Sequence, residues 1–154
     1  MSPVCLTRRL GLLCVAVVVG VAVSACAPSN APSACFTVTL PAGWTSEVTD
    51  RCGLVLSGPQ GASGTITVDT EPVDAAEVKA LIGQKFSDAD VAVQTVEGDQ
   101  VLIGTGSVPG AMYILVQARS ASSGRNGYYA QVLTPQPSQL AEIKTILASL
   151  RATT

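Results

Sequence analysis

The side chains of this sequence that could do covalent chemistry are five thiols together with hydroxyl, carboxylate and amine groups. The sequence contains no histidine, which removes the commonest general base and the commonest metal ligand. Lys79, Lys85 and Lys144 fall on predicted helices, and neither a G-x-S-x-G nor an S-x-x-K nucleophile motif occurs. The sequence therefore predicts a protein that is not an enzyme and holds no cofactor.

Two pairs of carboxylates stand close together in the sequence. One pair is Asp88 and Asp90, and the other is Asp69 and Glu71. Calcium requires a longer oxygen-rich loop with a glycine at its bend, and neither segment has that form. We interpret both pairs as solvated acidic edges and predict no metal site.

The N-terminal segment has the pattern of a targeting sequence. Arg8 and Arg9 precede an uncharged apolar stretch from residue 10 to residue 23, as in secretory signals. An uncleaved transmembrane helix is the alternative, because the apolar run reaches the lower limit of the roughly 17–25 residues that span a bilayer. In both cases the basic residues stay on the cytoplasmic side, and the part of the chain that follows the apolar stretch lies on the extracytoplasmic side of the membrane.

The four residues Val23-Ser24-Ala25-Cys26 resemble the lipobox of bacterial lipoproteins. That resemblance implies that residues 1–25 are a lipoprotein signal peptide and that Cys26 carries a diacylglyceryl thioether. Each buried methylene contributes about 0.8 kcal/mol, and two acyl chains suffice for stable attachment. The expected location is the extracytoplasmic face of the cell membrane, with the lipid on Cys26 as the anchor.

Two cysteines remain for the mature domain. Cys5 and Cys14 lie in the predicted signal peptide and Cys26 is assigned to the lipid, which leaves Cys35 and Cys52. An even pair in an oxidising compartment predicts a disulfide, which for a loop of about 18 residues contributes roughly 3 kcal/mol. A redox-active pair would be spaced as C-x-x-C, and this pair is not.

The charge of the mature chain excludes one class of partner. Without Arg8 and Arg9 the sequence has seven basic and eleven acidic residues, a net charge of −4. Its basic residues form no cluster. We therefore predict that the protein does not bind nucleic acid.

The pattern of apolar residues predicts one α+β domain over residues 35–151, preceded by a flexible tether over residues 26–34. Phe36, Val38 and Leu40 alternate with threonines, which is typical of a half-buried strand. After a turn at residues 41–43, residues 44–48 are predicted to return as the second arm of a hairpin.

Two amphipathic helices and several further strands complete the predicted domain. Helices are expected over residues 75–86, with Asp74 as the N-terminal cap, and over residues 138–150. Further strands are predicted at 54–56, 66–68, 91–96, 101–105, 111–119 and 128–133. The expected fold class is α+β, with a mostly antiparallel sheet of about six to eight strands.

The opening of the domain is similar to that of a known family. The nonapeptide Phe36-Thr37-Val38-Thr39-Leu40-Pro41-Ala42-Gly43-Trp44 resembles the start of the PsbP-like domains in actinobacterial lipoproteins of the LpqN/LpqT type. That resemblance implies an α/β/α sandwich entered by a hairpin. It implies accessory or interaction roles and assigns no catalytic residue.

Three aromatic residues are the candidates for contact with a ligand or partner. Trp44 could instead fill the core behind its turn. Tyr128 and Tyr129 must face opposite ways in a strand, so one belongs in the core and the other could line a binding surface. We predict a non-catalytic interaction or accessory module at the cell envelope, whose partners are the membrane and an unknown protein. The alternative is a carrier or binder of a small apolar ligand in a cavity between sheet and helix.

Overall fold

The computed structural model describes residues 29–33, 35–49, 52–122 and 124–153. The predicted signal peptide (1–25) and Cys26 lie outside the described residues. The strands are β1 (Ser29–Pro32), β2 (Phe36–Leu40), β3 (Thr45–Val48), β4 (Leu54–Ser57), β5 (Ser63–Val68), β6 (Asp90–Val96), β7 (Asp99–Val108), β8 (Met112–Arg119), β9 (Tyr128–Thr134) and β10 (Arg151–Ala152). The helices are α1 (Ala75–Gly83) and α2 (Leu140–Ala148).

The strands form two sheets. The larger has seven strands in the order β3-β4-β5-β9-β8-β7-β6, and the smaller has three in the order β1-β2-β10. Every neighbouring pair is antiparallel. The predicted α+β class, with a helix in mid-chain and another near the C-terminus, is confirmed.

Helix α1 begins at the predicted cap. The Asp74 carboxylate accepts hydrogen bonds from the backbone N–H groups of Ala76 (2.7 Å) and Glu77 (3.2 Å), which satisfies two of the free donors at the helix start. The helix ends at Gly83, three residues earlier than predicted. Residues 84–89 then lead over the end of the sheet into β6.

Two glycines let α1 lie close to the sheet. A Cβ atom at Gly104 would lie 2.5 Å from Cδ1 of Ile82, and one at Gly106 would lie 2.6 Å from Cγ2 of Ile82 and 2.8 Å from Cβ of Phe86. All three distances are far shorter than ordinary carbon contacts. Helix α1 therefore packs closely on β7 at these two positions, where β7 has no side chains.

The two faces of the large sheet carry separate apolar cores. Helix α1 packs with Val78, Ile82 and Phe86 on one face. Helix α2 and the small sheet pack on the other face, and Phe36, Val38 and Leu40 of β2 are fully buried there. The structure thus has three layers, with the sheet in the middle.

Two expectations about the N-terminal part differ from the structure. Strands β2 and β3 do not pair with each other, since β2 belongs to the small sheet and β3 pairs with β4. The predicted hairpin is therefore wrong, because alternation identifies a buried face but not a partner strand. Part of the predicted flexible tether is also structured, because residues 29–32 form strand β1, which pairs with β2.

The disulfide lies next to the start of β2. Cys35 and Cys52 are bonded, with their Cα atoms 4.9 Å apart, within the range that bridge geometry allows. Both cysteines pack against the core that contains β2. The bond connects the start of β2 to the segment that leads into β4.

Candidate functional site

The two helices cover different halves of the large sheet. Helix α1 packs against β6 and β7 on one face, whereas α2 packs against β8 and β9 on the opposite face. Each face therefore has a part that no helix covers. A groove runs beside each helix, where the covered part meets the open part.

The larger groove lies beside α1, and we call it the α1 groove. Its volume is about 500 Å³, within the range of small-molecule sites. Its apolar lining comes from Leu81, Ile82, Phe86, Ile114, Tyr129 and Leu133. Leu81 is 49% exposed, so a large aliphatic side chain meets solvent at the groove mouth.

A small number of polar groups also line the α1 groove. The side chain of Tyr129 is half-buried there, and burial raises its pKa above the ordinary value. The hydroxyl is therefore protonated at neutral pH, and it has no hydrogen-bond partner among the described residues. The other polar side chains of the groove come from Thr67, Asp69, Gln84, Gln131 and the exposed Lys85. An apolar lining with a few polar groups is the usual composition of a ligand site.

The smaller groove lies beside α2, and we call it the α2 groove. Its volume is about 420 Å³. Ile103, Leu115 and Leu147 supply its apolar lining, and Lys144 stands beside them. The open side of this groove is bordered by β6, one of the two edge strands of the large sheet.

Strand β6 is an edge strand with few features that would prevent another strand from pairing with it. Among the described residues, only β7 pairs with it, so the other side of its backbone has no partner strand there. Val93, in its centre, is 55% exposed. Edge strands of this kind usually carry lysine, proline or a bulge against unwanted pairing, and residues 90–96 contain neither lysine nor proline.

Two of the three predicted contact residues lie in the core. Trp44 is 4% exposed, and its indole Nε1 donates a hydrogen bond to Glu142 Oε2 (3.0 Å). Tyr128 is 3% exposed, and its hydroxyl accepts a hydrogen bond from Gln117 Nε2 (2.7 Å). Both side chains are therefore withdrawn from an outside ligand, and Tyr129 is the member of the set that reaches a groove.

Burial governs the ionisation of Tyr128. Desolvation is the largest cause and raises the pKa of its hydroxyl, while the hydrogen bond from Gln117 and the positive charge of Arg119 act in the opposite direction. The guanidinium carbon of Arg119 lies 5.4 Å from the ring centroid of Tyr128, in the range of a cation–π contact. The Tyr128 side chain is thus a neutral part of the core.

Charged residues form a connected chain at one end of the sheet. Asp99 accepts from Arg119 (3.0 Å) and pairs with Arg125 (3.3 Å), and Glu97 pairs with Arg125 (3.7 Å) and Arg151 (3.1 Å). Arg119 is buried, and its second guanidinium nitrogen donates to the carbonyl of Asn126. This chain joins the β6–β7 turn to β8 and β10.

The described part of the chain contains no group of three potential ligands that could hold a metal ion. In each of the two carboxylate pairs noted in the sequence, one member accepts a hydrogen bond from a nearby residue. Asp88 accepts a hydrogen bond from Ser107 Oγ (2.8 Å), and Asp69 accepts one from the Glu71 backbone N–H (3.1 Å). Within the same residues, no helix is both long and apolar enough to cross a membrane.

No family model matches this sequence, and no curated protein matches it significantly. A crystal structure from Bacteroides thetaiotaomicron VPI-5482 is similar to it, with a TM-score of 0.48 and 10% sequence identity. The similarity covers 77% of this chain and 45% of that one. The chain thus spans less than half the length of that structure.

Proposed function

We propose that this protein is a lipoprotein, held at the extracytoplasmic face of the membrane through Cys26, whose domain is a non-catalytic binding module. The α1 groove is its binding site, and the ligand is a small apolar molecule with one polar end. The observation that carries the proposal is the groove itself, about 500 Å³ between helix and sheet with a largely apolar lining. A site of this size and composition suits such a ligand.

The polar groups of the groove support a ligand with a polar end. Tyr129 offers a protonated hydroxyl without a partner among the described residues. Lys85 is exposed at the groove and makes no ion pair within the same residues. A carboxylate or hydroxyl on the ligand would find donors in these two side chains, while its apolar part would cover Leu81 and Phe86.

Native mass spectrometry of the full-length, lipidated protein tests the proposal, with dodecanoic acid as the probe. We expect one bound molecule per protein. Leu81→Asp should abolish that adduct, because it places a charge in the apolar lining at an exposed position where folding is little affected. Val48→Asp is the matched control, since Val48 is 51% exposed on β3 and lines no groove described above.

Two results would contradict the proposal. An adduct that persists in Leu81→Asp would place the probe elsewhere, and the absence of any adduct to the wild-type protein would remove the ligand-binding function. The mass of the protein tests the anchor separately. A mature N-terminus without lipid on Cys26 would contradict the assignment as a lipoprotein.

A second candidate function is interaction with a protein, and strand β6 favours it. Its free edge offers unpaired backbone donors and acceptors beside the α2 groove, and an extended segment of a partner could add to such an edge. Val93→Lys should block that pairing, because edge lysines oppose strand addition. Crosslinking in intact membranes should then show a partner lost from Val93→Lys but retained by Val48→Lys.

A further inference from the structure

We infer that one end of the domain rests on the lipid bilayer through three uncharged loops, so that the domain has a fixed orientation on the membrane. The loops are residues 41–43, 58–62 and 135–139, and we call them the neutral loops. The inference rests on the proposed lipid anchor at Cys26. It adds a second contact with the membrane and states which surface makes it.

The position of β1 shows where the anchor must be. Ser29 is the first residue of β1 and pairs with Leu40, the last residue of β2. Pro41 follows Leu40 directly, so the chain enters the domain beside the first neutral loop. Cys26 precedes Ser29 by three residues, which can span at most about 11 Å. A lipid on Cys26 therefore holds this end of the domain against the bilayer.

The neutral loops form one continuous surface. A Cβ atom at Gly43 would lie 4.0 Å from Cγ of Pro59, and one at Gly61 would lie 3.8 Å from Cγ of Pro135. Gln139 Nε2 donates a hydrogen bond to the carbonyl of Pro59 (2.9 Å). The three loops are thus in contact at the end of the domain where β1 begins.

The composition of the neutral loops suits a lipid surface. Their sequences are PAG, GPQGA and PQPSQ, with no ionisable side chain that would have to be desolvated on contact with the bilayer. Ala42, Gln60 and Pro137 are exposed there. Glu142, in the first turn of α2, is a charge beside these loops, and its carboxylate accepts the indole N–H of Trp44 (3.0 Å). Lys85 and Asp88 lie in the loop before β6, at the opposite edge of the sheet from β3.

The opposite end of the domain is charged. Asp69, Glu71 and Asp74 lie between β5 and α1, and the Glu97 and Asp99 ion pairs lie at the β6–β7 turn. Strand β9 runs between the two ends with seven residues, which corresponds to about 20 Å. With the neutral loops on the bilayer, the ionised groups of this end stay in water.

The single tryptophan is a natural probe of this orientation. Trp44 follows the first neutral loop, and its ring lies against Gly58 of the second. Lipids with bromine on the upper part of their acyl chains quench tryptophan only at short range. Quenching of Trp44 in vesicles therefore reports whether the neutral loops touch the bilayer.

The experiment uses the full-length, lipidated protein in vesicles of equal parts phosphatidylcholine and phosphatidylglycerol, with and without brominated chains. We expect brominated lipid to lower Trp44 fluorescence in the wild-type protein. Gln60→Glu, an isosteric change that adds a charge to a neutral loop, should lose most of that quenching. Gln100→Glu makes the same change near the charged end and should keep it. Ala42→Asp and Ala121→Asp repeat the comparison at a second pair of exposed positions.

The outcomes separate the orientation from the anchor. A protein that carries lipid on Cys26 but shows no quenching of Trp44 overturns the orientation and leaves the anchor standing. Equal quenching in Gln60→Glu, Ala42→Asp and the wild-type protein overturns the contact through the neutral loops, because proximity would then come from the anchor alone. A protein without lipid on Cys26 overturns the proposed function itself, which its mass reveals before any fluorescence is measured.

Discussion

The indole Nε1 of Trp44 donates a hydrogen bond to Oε2 of Glu142 at 3.0 Å, between residues 98 positions apart in the chain. The bond joins the turn before β3 to the first turn of α2. Because Trp44 is buried, its N–H group would have no other acceptor among the described residues if Glu142 were removed. We expect Glu142→Leu to lower the free energy of unfolding by about 1–3 kcal/mol, as measured by urea unfolding.

Glu142→Gln is the control for this bond. It retains an oxygen that can accept from the indole, and so it should restore part of the stability lost in Glu142→Leu. If the two variants were equally stable, the hydrogen bond would contribute nothing beyond the packing of the side chain.

The close approach of α1 to the sheet depends on Gly106. Gly106→Ala introduces a Cβ atom that meets Ile82 and the Cβ of Phe86, and a backbone-near atom such as Cβ cannot move aside. We expect a loss of about 1–3 kcal/mol, as for other overpacked sites, measured by thermal or urea unfolding. Gly83→Ala is the matched control, because its nearest neighbour would be 3.8 Å away, and it should cost much less.

The disulfide should contribute measurably to stability. Cys35 and Cys52 are 17 positions apart, and the chain-entropy model assigns a loop of this length roughly 3 kcal/mol. The double variant Cys35→Ser/Cys52→Ser should unfold at a lower urea concentration by a corresponding amount. Adding a reductant to the wild-type protein should reproduce that loss and should not affect the double variant. A reductant that destabilised both proteins equally would contradict this origin.

The two tyrosines of β9 predict how stability depends on alkaline pH. Burial raises the pKa of both Tyr128 and Tyr129 in the folded protein, whereas an unfolded tyrosine ionises near pH 10. Above that pH the unfolded state releases its protons first and is favoured. The tyrosine contribution is therefore fully present below about pH 10 and is lost as the pH rises through the folded pKa values.

Urea unfolding at a series of alkaline pH values measures this effect. Tyr128→Phe should reduce the fall in stability above about pH 10, because a phenylalanine has no proton to lose. Tyr129→Phe tests the second residue in the same way. If both variants lost stability with pH as steeply as the wild-type protein, another group would be responsible.

The sequence predicts most of the local structure because local structure depends on neighbouring residues. Alternation located β2, the side chain of Asp74 located the start of α1, and Gly98 located the turn between β6 and β7. Partner strands were harder to predict. Strand β2 is completed by β10, more than a hundred residues later, and no local pattern contains that information.

The candidate site could be predicted only in part for the same reason. Parity in a strand required that Tyr128 and Tyr129 face opposite sides, but the register of β9 against β8 and β5 decides which side is covered. The α1 groove arises because α1 covers β6 and β7 and leaves the rest of its face of the sheet open. The position of α1 depends on Gly104 and Gly106, whose role is visible only once α1 is placed over them.

The placement of β2 between β1 and β10 has a consequence for synthesis of the chain. Phe36, Val38 and Leu40 are made early, whereas α2 and β10, which help to cover them, follow more than a hundred residues later. These side chains stay partly exposed until residue 152 is made, and closing so long a loop is slow. The core around β2 can therefore be completed only after β10 is made, and loss of residues 140–152 would expose one side of β2.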